Sequence, residues 1–165
     1  MKILVLSDSH SGLSYMRSWI NAVKPDVIIH LGDHYDDGQE MELEFRDSRM
    51  IQVPGNCDLY RISPGAREIL TVNLGGVVFF LTHGHRHGVK SDTIPLIAAA
   101  RSAEANAALY GHTHRADCRI FEDGFLVLNP GSCGSSSGSV GLIEVEDRKI
   151  KSAKILYRDD LDLFH

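Results

Sequence analysis

The chain has 165 residues, of which 43% are hydrophobic and 24% charged, and its formal net charge is -5. These values predict one globular domain over residues 1–165 with a substantial core, and they exclude a disordered chain. The negative balance argues against wrapping extended nucleic acid, which needs a basic surface, and no apolar run approaches the length of a membrane span.

Met1-Lys2 runs straight into Ile3-Leu4-Val5-Leu6 without the pattern of a cleavable leader, so a cytoplasmic protein is expected. The three cysteines, Cys57, Cys118 and Cys133, form no C-x-x-C pair and read as reduced thiols rather than a disulfide framework or zinc ribbon.

Ile3–Leu6 has the length and branching of a buried strand, and it breaks off into Ser7-Asp8-Ser9-His10-Ser11. If the chain leaves the strand extended, Asp8 and His10 point the same way. Gly12 and Ser14 lead into Tyr15, Met16, Trp19, Ile20 and Val23, apolar at helical spacing, and Lys24-Pro25 closes that helix. Asp26 to Leu31 is a second strand, delivering Gly32-Asp33. The acidic stretch from Asp36 to Asp47 holds a short helix through Met41, Leu43 and Phe45. A third strand, Arg49 to Val53, ends in Pro54-Gly55-Asn56-Cys57-Asp58. This order predicts a right-handed, largely parallel α/β sheet whose strand ends form the ligand crevice.

From Glu68 the texture changes. Glu68–Leu74, Gly75-Gly76 and Val77–Leu81 read as a β-hairpin whose second arm ends in Thr82-His83-Gly84-His85. Ser91 or Asp92 caps a helix with Pro95 in its first turn, carried by Ile94, Leu96, Ile97, Ala98 and Ala100 to about Ala103. Ala107-Ala108-Leu109-Tyr110 then leads to Gly111-His112-Thr113-His114. The remaining strands, Ala116–Phe121, Phe125–Asn129, Val140–Val145 and Ile150–Tyr157, predict a second sheet stacked on the first. The Gly/Ser run from Gly131 to Ser139 is expected to be a mobile loop.

Nine histidines are the oddest feature of the composition, and five fall in two tight clusters, His83/His85/His87 and His112/His114. Collected at the exits of apolar runs are Asp8, His10, Asp33, Asn56, His83, His112 and His114. Seven oxygen and nitrogen donors without a thiolate are too many for one tetrahedral zinc and suit two five- or six-coordinate ions. Two ions need a bridging carboxylate, and Asp33, on the strand beside Asp8, is the natural choice.

Asp8-x-His10, Gly32-Asp33, Gly55-Asn56-x-Asp58, His83-Gly84-His85 and Gly111-His112-x-His114 occur in an order and spacing that resemble the calcineurin-like metallophosphoesterases, in particular their small single-domain phosphodiesterase branch. Asn129-Pro130-Gly131-Ser132 matches a turn common in that branch. The resemblance implies a four-layer αββα sandwich of two mixed β-sheets flanked by helices. It implies that Asp8, His10 and His114 hold one divalent metal, that Asn56, His83 and His112 hold the other, and that Asp33 bridges them. Manganese is the first choice of metal, with iron, cobalt, nickel and zinc as alternatives. The implied reaction is hydrolysis of a small or exposed phosphodiester by a hydroxide held between the metals. The alternatives are a non-catalytic protein scaffold, since the resemblance extends to a retromer subunit with a degraded site, or a phosphomonoesterase or nuclease. Homo-oligomerisation is left open.

Two departures stand out. Cys57 follows the motif asparagine where relatives often have a histidine that protonates the leaving oxygen, and a thiol of ordinary pKa is a poor substitute acid. Where relatives often continue Pro130-Gly131-Ser132 with Pro-Arg, this chain has the Ser/Gly run, so a phosphate contact from that arginine is missing. Asp58 is expected to orient a neighbouring histidine ring. His85 is a candidate pocket acid, and His34 and Asp37 are close enough to Asp33 to line the pocket. His30 reads as a satisfied core or edge histidine, His87 and His165 as structural or surface residues, and Trp19 and the aromatics of the final strands as core.

Overall fold

Alternation along the first strand sets the layers. In a computed structural model, which describes residues 1–58 and 64–164, β1 (Lys2–Leu6) directs Ile3 and Val5 into a core between two sheets and Leu4 and Leu6 toward a layer of helices. Successive side chains on a strand point to opposite faces, so a run apolar at every position means that both faces are covered. His165, read as a surface residue, lies outside the described residues.

β2 (Val27–His30) and β3 (Arg49–Gln52) add to β1 in parallel, with Ile3 opposite Val27 and Val27 opposite Arg49. α1 (Leu13–Val23) and α2 (Tyr35–Glu44) cross over between them and pack Met16, Trp19, Ile20 and Met41 on Leu4, Leu6 and Ile28. Lys24 ends α1 in a left-handed conformation, φ 48°, with its N–H on the Ile20 carbonyl, and Pro25 prevents continuation.

The second sheet starts with the expected hairpin, β4 (Ile69–Leu74) and β5 (Val77–Thr82). α3 (Ile94–Ser102) then returns the chain so that β6 (Ala107–Leu109) lies parallel to β5. Asp92 Oδ1 accepts the Ile94 N–H at 2.8 Å at its start. β7 (Asp117–Ile120) and β8 (Leu126–Asn129) complete the sheet in the order β4-β5-β6-β8-β7. Leu96 and Ala100 of α3 cover its outer face against Phe80, Ala108 and Val127. Helices, sheet, sheet and helix form the four-layer αββα sandwich.

The last hairpin does not join the second sheet. β9 (Ser139–Glu146) pairs antiparallel with β1, and β10 (Lys149–Tyr157) pairs with β9, giving the order β10-β9-β1-β2-β3. Its composition explains this: Ile143 and Val145 enter the core between sheets while Val140 and Leu142 face the helices, and such two-sided burial is available beside β1. Trp19 is core as expected, whereas Phe121 and Tyr157 remain exposed. Among the described residues no helix is long and apolar enough to cross a membrane.

Candidate metal centre

The polar residues gather where the exits of β1, β2 and β3 meet those of β5 and β6. Hydrogen bonding continues one step past the strands: Leu31 N–H donates to the Leu6 carbonyl and Asp8 N–H to the Gly32 carbonyl, both at 2.9 Å. The chain then turns sharply instead of staying extended. Asp8, His10, Ser11, Asp33, His34, His112 and His114 all have φ between 43° and 70°. These are seven of the eleven described non-glycine residues in the left-handed region, so backbone strain is concentrated in the loops that carry the donors. Asp8 and His10 therefore converge through a tight turn, closed by Gly12 N–H on the Ser9 carbonyl at 2.8 Å, rather than by strand periodicity.

Asp8 is fully buried. Its Oδ2 accepts the Ser7 hydroxyl at 2.6 Å and the His112 N–H at 3.1 Å. Its Oδ1 has no hydrogen-bond partner, although His114 Nε2 lies 3.1 Å away. His10 Nε2 is 3.3 Å from His114 Nε2 and 4.0 Å from Asp33 Oδ2. Donor atoms of Asp8, His10, Asp33 and His114 all lie within 4.8 Å of one another, close enough to share one ion.

Asp33 turns its two oxygens in different directions. Oδ2 faces His10, whereas Oδ1 accepts the Cys57 N–H at 3.0 Å and lies 3.5 Å from His83 Nε2. Gly55 permits this approach, because any Cβ there would collide with the Asp33 carboxylate. Burial pushes the Asp33 carboxyl up, but His83 and the Cys57 N–H outweigh it and hold the group well below the usual carboxylate range.

His83 is fully buried, with Nδ1 2.7 Å from the Leu31 carbonyl oxygen. A carbonyl only accepts, so Nδ1 carries the proton and Nε2 faces the site. Around Nε2 stand Asn56 Oδ1 at 3.1 Å, Asp33 Oδ1 at 3.5 Å and Asp8 Oδ1 at 3.9 Å. Oxygen acceptors around an imidazole nitrogen are tolerable only with positive charge among them, carried by a proton or a cation. Burial lowers the His83 pKa, yet Asp33 and Asp8 raise it above the ordinary value. The unpartnered Asp8 Oδ1, the crowded Nε2 and an all-oxygen-and-nitrogen donor set fit divalent transition-metal ions. The His112 ring completes this side, its centroid 5.0 Å from that of His83.

The supporting residues were less legible in the sequence. Among the described residues Asp58 makes no hydrogen bond to a histidine ring, in contrast to the expectation: Oδ1 accepts the N–H groups of His34 and Tyr35, both at 2.9 Å, and Oδ2 accepts that of Gly55 at 2.7 Å. It ties the Asp33 loop to the Asn56 loop through backbone. Asp37 Oδ2 accepts the Ser9 hydroxyl at 2.7 Å and the Ser11 N–H at 2.8 Å, and Ser9 Oγ lies 3.0 Å from His30 Nε2. His30 is fully buried but only half satisfied, since its Nδ1 has no partner, and burial pushes it down to about 4. Asn129 donates to the Gly111 carbonyl and Thr113 Oγ1, both at 2.9 Å, and so holds the loop bearing His112 and His114.

The Gly131–Ser139 segment, expected to be mobile, is anchored on the exit of β1. Cys133 N–H donates to the Ser7 carbonyl at 3.0 Å, Ser132 Oγ donates to the Asp8 carbonyl at 2.8 Å, and Gly134 packs where a Cβ would strike the Ser9 carbonyl. Small residues are required there because two backbones meet.

His85 lies at the rim, its ring centroid 5.6 Å from His83 and 6.1 Å from His112. Burial, reinforced by His83, lowers its pKa. His34 stacks edge-on against His10 at 5.1 Å and, with Ser11, Asp36, Asp37, Cys57 and Asp58, lines a cavity of about 300 Å³. His34 and Asp37, expected to line the substrate pocket, are both in the wall of this cavity. Partial burial and the Asp33 charge push the Cys57 thiol up to about 11, above the ordinary value assumed for it.

Two helix-flanked five-stranded sheets with aspartates and histidines gathered at their strand exits define a metallophosphoesterase-type protein. Residues 1–148 match the calcineurin-like phosphoesterase superfamily domain, and the chain belongs to that superfamily. It is 35% identical over 137 residues to a probable metallophosphoesterase of Mycoplasma pneumoniae, covering 79% of this chain and 78% of the relative. It is 31% identical over 170 residues to a phosphodiesterase of Methanocaldococcus jannaschii, covering 92% and 97%. Among solved structures, one from Streptococcus pneumoniae described as a predicted phosphoesterase superposes with TM-score 0.75 at 28% identity, covering 96% of this chain and 90% of that one. Zinc-bound Vps29 of Entamoeba histolytica shares the fold, with TM-score 0.72 at 23% identity, covering 94% and 97%.

Proposed function

We propose that this protein is a metal-dependent phosphodiesterase that hydrolyses small or exposed phosphodiesters. One observation carries the reading: the buried, unpartnered Asp8 Oδ1 faces the Nε2 atoms of His114 and His83, an arrangement that a cation between them would stabilise. Asp8, His10 and His114 would hold one divalent ion, and Asn56, His83 and His112 would hold the other. The division of the Asp33 oxygens between His10 and His83 supports its role as the bridge. Divalent ions in such a site neutralise charge on phosphoryl oxygens and lower the pKa of bound water.

The chain's own residues do the rest. His83 is locked in one tautomer by Leu31, so its Nε2 needs no reorientation. Asn56 presents its amide beside that nitrogen, and its N–H groups, bonded only weakly to Cys57 Sγ at 3.6 Å, are available to a phosphoryl oxygen. Asp58 fixes the Gly55 N–H and thereby the reach of Asn56. His85 sits at the rim, where it can donate to a substrate oxygen from its imidazole.

The phosphodiesterase name of the Methanocaldococcus jannaschii relative supports diesters over monoesters. The presence of all seven donors argues against a pure protein scaffold. Manganese is the first choice of metal, and the free state of Cys57, Cys118 and Cys133 supports a cytoplasmic setting. The test is metal analysis of purified protein with hydrolysis of bis(4-nitrophenyl) phosphate in added manganese, against an Asp33→Asn control. A protein that binds no metal and is inert in every divalent ion would refute the reading.

A further inference from the structure

One cavity lies at the end of a row of imidazoles, and a second is lined by the neighbours of that row's last member. His34, His10 and His114 follow one another at 5.1 Å per step between ring centroids. At the His34 end is the acidic cavity described above, with Asp36, Asp37 and Asp58 in its walls. On the chain segment that carries His114 is a groove of about 440 Å³ lined by Val89, Lys90, Tyr110, Thr113, Arg115, Ala116 and Asp117. Two residues of its wall, Thr113 and Arg115, flank the candidate ligand His114 in sequence. Lys90 is also near enough for its charge to act on His112.

The polar groups of this groove are already engaged, with two exceptions. Tyr110 Oη donates to Asp117 Oδ2 at 3.1 Å, and Arg119 Nε donates to the same oxygen at 3.0 Å, so the one carboxylate in the wall is occupied. Thr113 Oγ1 donates to the Arg115 carbonyl and accepts from Asn129 and the Arg115 N–H. Among the described residues, the Lys90 ammonium and the Arg115 guanidinium have neither a hydrogen-bonded nor an ion-paired partner. Val89 and Tyr110 are buried and give the groove a rigid floor. In a chain with a net charge of -5, two unpaired cations beside the reaction centre mark a preference for anions.

We propose that the Lys90–Arg115 groove is a subsite for a second phosphate, so that the preferred substrate is a small phosphodiester carrying an additional phosphate on one arm. This rests on the phosphodiesterase reading above and names its substrate class. The acidic cavity at the other end repels such a group, which sets the direction of binding: the phosphorylated arm lies toward Arg115 and the uncharged arm toward Cys57. Arg115 offers a planar fork to phosphate oxygens and Lys90 a point charge.

The test compares two chromogenic diesters that share the scissile bond, thymidine 3′-phosphate 5′-(4-nitrophenyl phosphate) and thymidine 5′-(4-nitrophenyl phosphate), with the manganese-loaded protein. The expected ratio of kcat/KM favours the phosphorylated ester by about tenfold, the scale of charge-assisted contacts discounted for solvent exposure. It falls to about one in the Lys90→Ala/Arg115→Ala double variant. A wild-type ratio near one, or a preference that survives in the double variant, overturns the subsite while leaving the phosphodiesterase reading standing. If neither ester is hydrolysed, that reading fails, and calorimetry on the same proteins decides the subsite. Binding of thymidine 3′,5′-bisphosphate about tenfold tighter than thymidine 5′-monophosphate, lost in the double variant, supports it. Equal affinities overturn it.

Discussion

The Nδ1 atom of His83 lies 2.7 Å from the carbonyl oxygen of Leu31, and this contact decides which nitrogen faces Asp8, Asp33 and Asn56. Leu31 belongs to the core between the sheets, so the tautomer is set by the most rigid part of the molecule. His83→Gln is expected to reduce bound manganese and to lower diester hydrolysis by more than about 100-fold, since even residues behind metal ligands are worth 10–100-fold. Metal analysis and kcat on the same preparation check this. Full metal content with full activity would remove His83 from the centre.

Ser9 stands between two donors, and Asp37 holds both its hydroxyl and the Ser11 N–H. Hydrogen bonds to a charged, buried group are worth about 1.5–3 kcal/mol each, so Asp37→Ala is expected to destabilise the metal-free protein by about 3 kcal/mol. The same change loosens the strained turn that aims His10, and manganese affinity is expected to fall about tenfold. Urea unfolding and a metal titration measure the two effects. Ser9→Ala removes one of these bonds and should show a smaller shift in both; an unaltered metal affinity in either variant would confine the network to folding.

His30 provides a pH dependence. Burial holds its folded pKa at about 4, against an ordinary value of 6.5. A group whose pKa is lower in the folded state contributes stability that is complete above 6.5 and is lost as pH falls, because the unfolded chain takes up the proton first. Over the window from 6.5 to about 4 the loss is about 3 kcal/mol. His85 and His112 are shifted the same way, so the comparison with His30→Gln carries the test. The metal-free variant should lose about 3 kcal/mol less than the wild type across that window in urea unfolding, and identical losses would show that His30 is protonated without cost.

The Cys57 thiol, pushed up to about 11, is a weak proton donor to a leaving oxygen. Cys57→His is expected to raise kcat/KM for alkyl diesters by about 100-fold, the lower end of general-acid contributions, while changing aryl diesters little, because aryl oxides leave without help. Parallel assays on both ester types decide the matter, and equal effects on both would sink this account.

Much of the sandwich was legible because burial writes a local signal. Ile3–Leu6 and Val27–Leu31 are apolar at every position, which specifies strands covered on both faces, and each ends in a donor residue. Matches between such exits and the spacing of a known family identified the superfamily before any contact was visible. Hairpin patterning specifies the two arms of β9–β10 but not the strand they join, so the sequence alone does not place them in the first sheet. Val140 and Ile143 settle that by facing opposite cores.

The site's supporting groups were hidden for a different reason. His112 N–H and Asp8 Oδ2 are 104 residues apart, and Ser132 and the Asp8 carbonyl 124 apart, so nothing local in either partner signals the contact. The Gly131–Ser139 run looks flexible by composition, yet its small residues are what allow it to pack against the Ser9 carbonyl. The opposite charge of the two flanking cavities was equally illegible, because Lys90 and Arg115 are 25 positions apart and only the groove unites them.

By itself, the amino-acid sequence determined the strands, the helices and the donors at their ends, through hydrophobic periodicity and the abrupt change to Asp, Asn and His. That Asp8, His10, Asp33 and His114 share one point in space was decided only by tertiary structure. There the left-handed turns at Asp8 and His10, costly in isolation, are held by packing and by bonds from distant loops. Strain of that kind persists only where the surrounding fold over-determines it, and no stretch of sequence carries the fold's side of that balance.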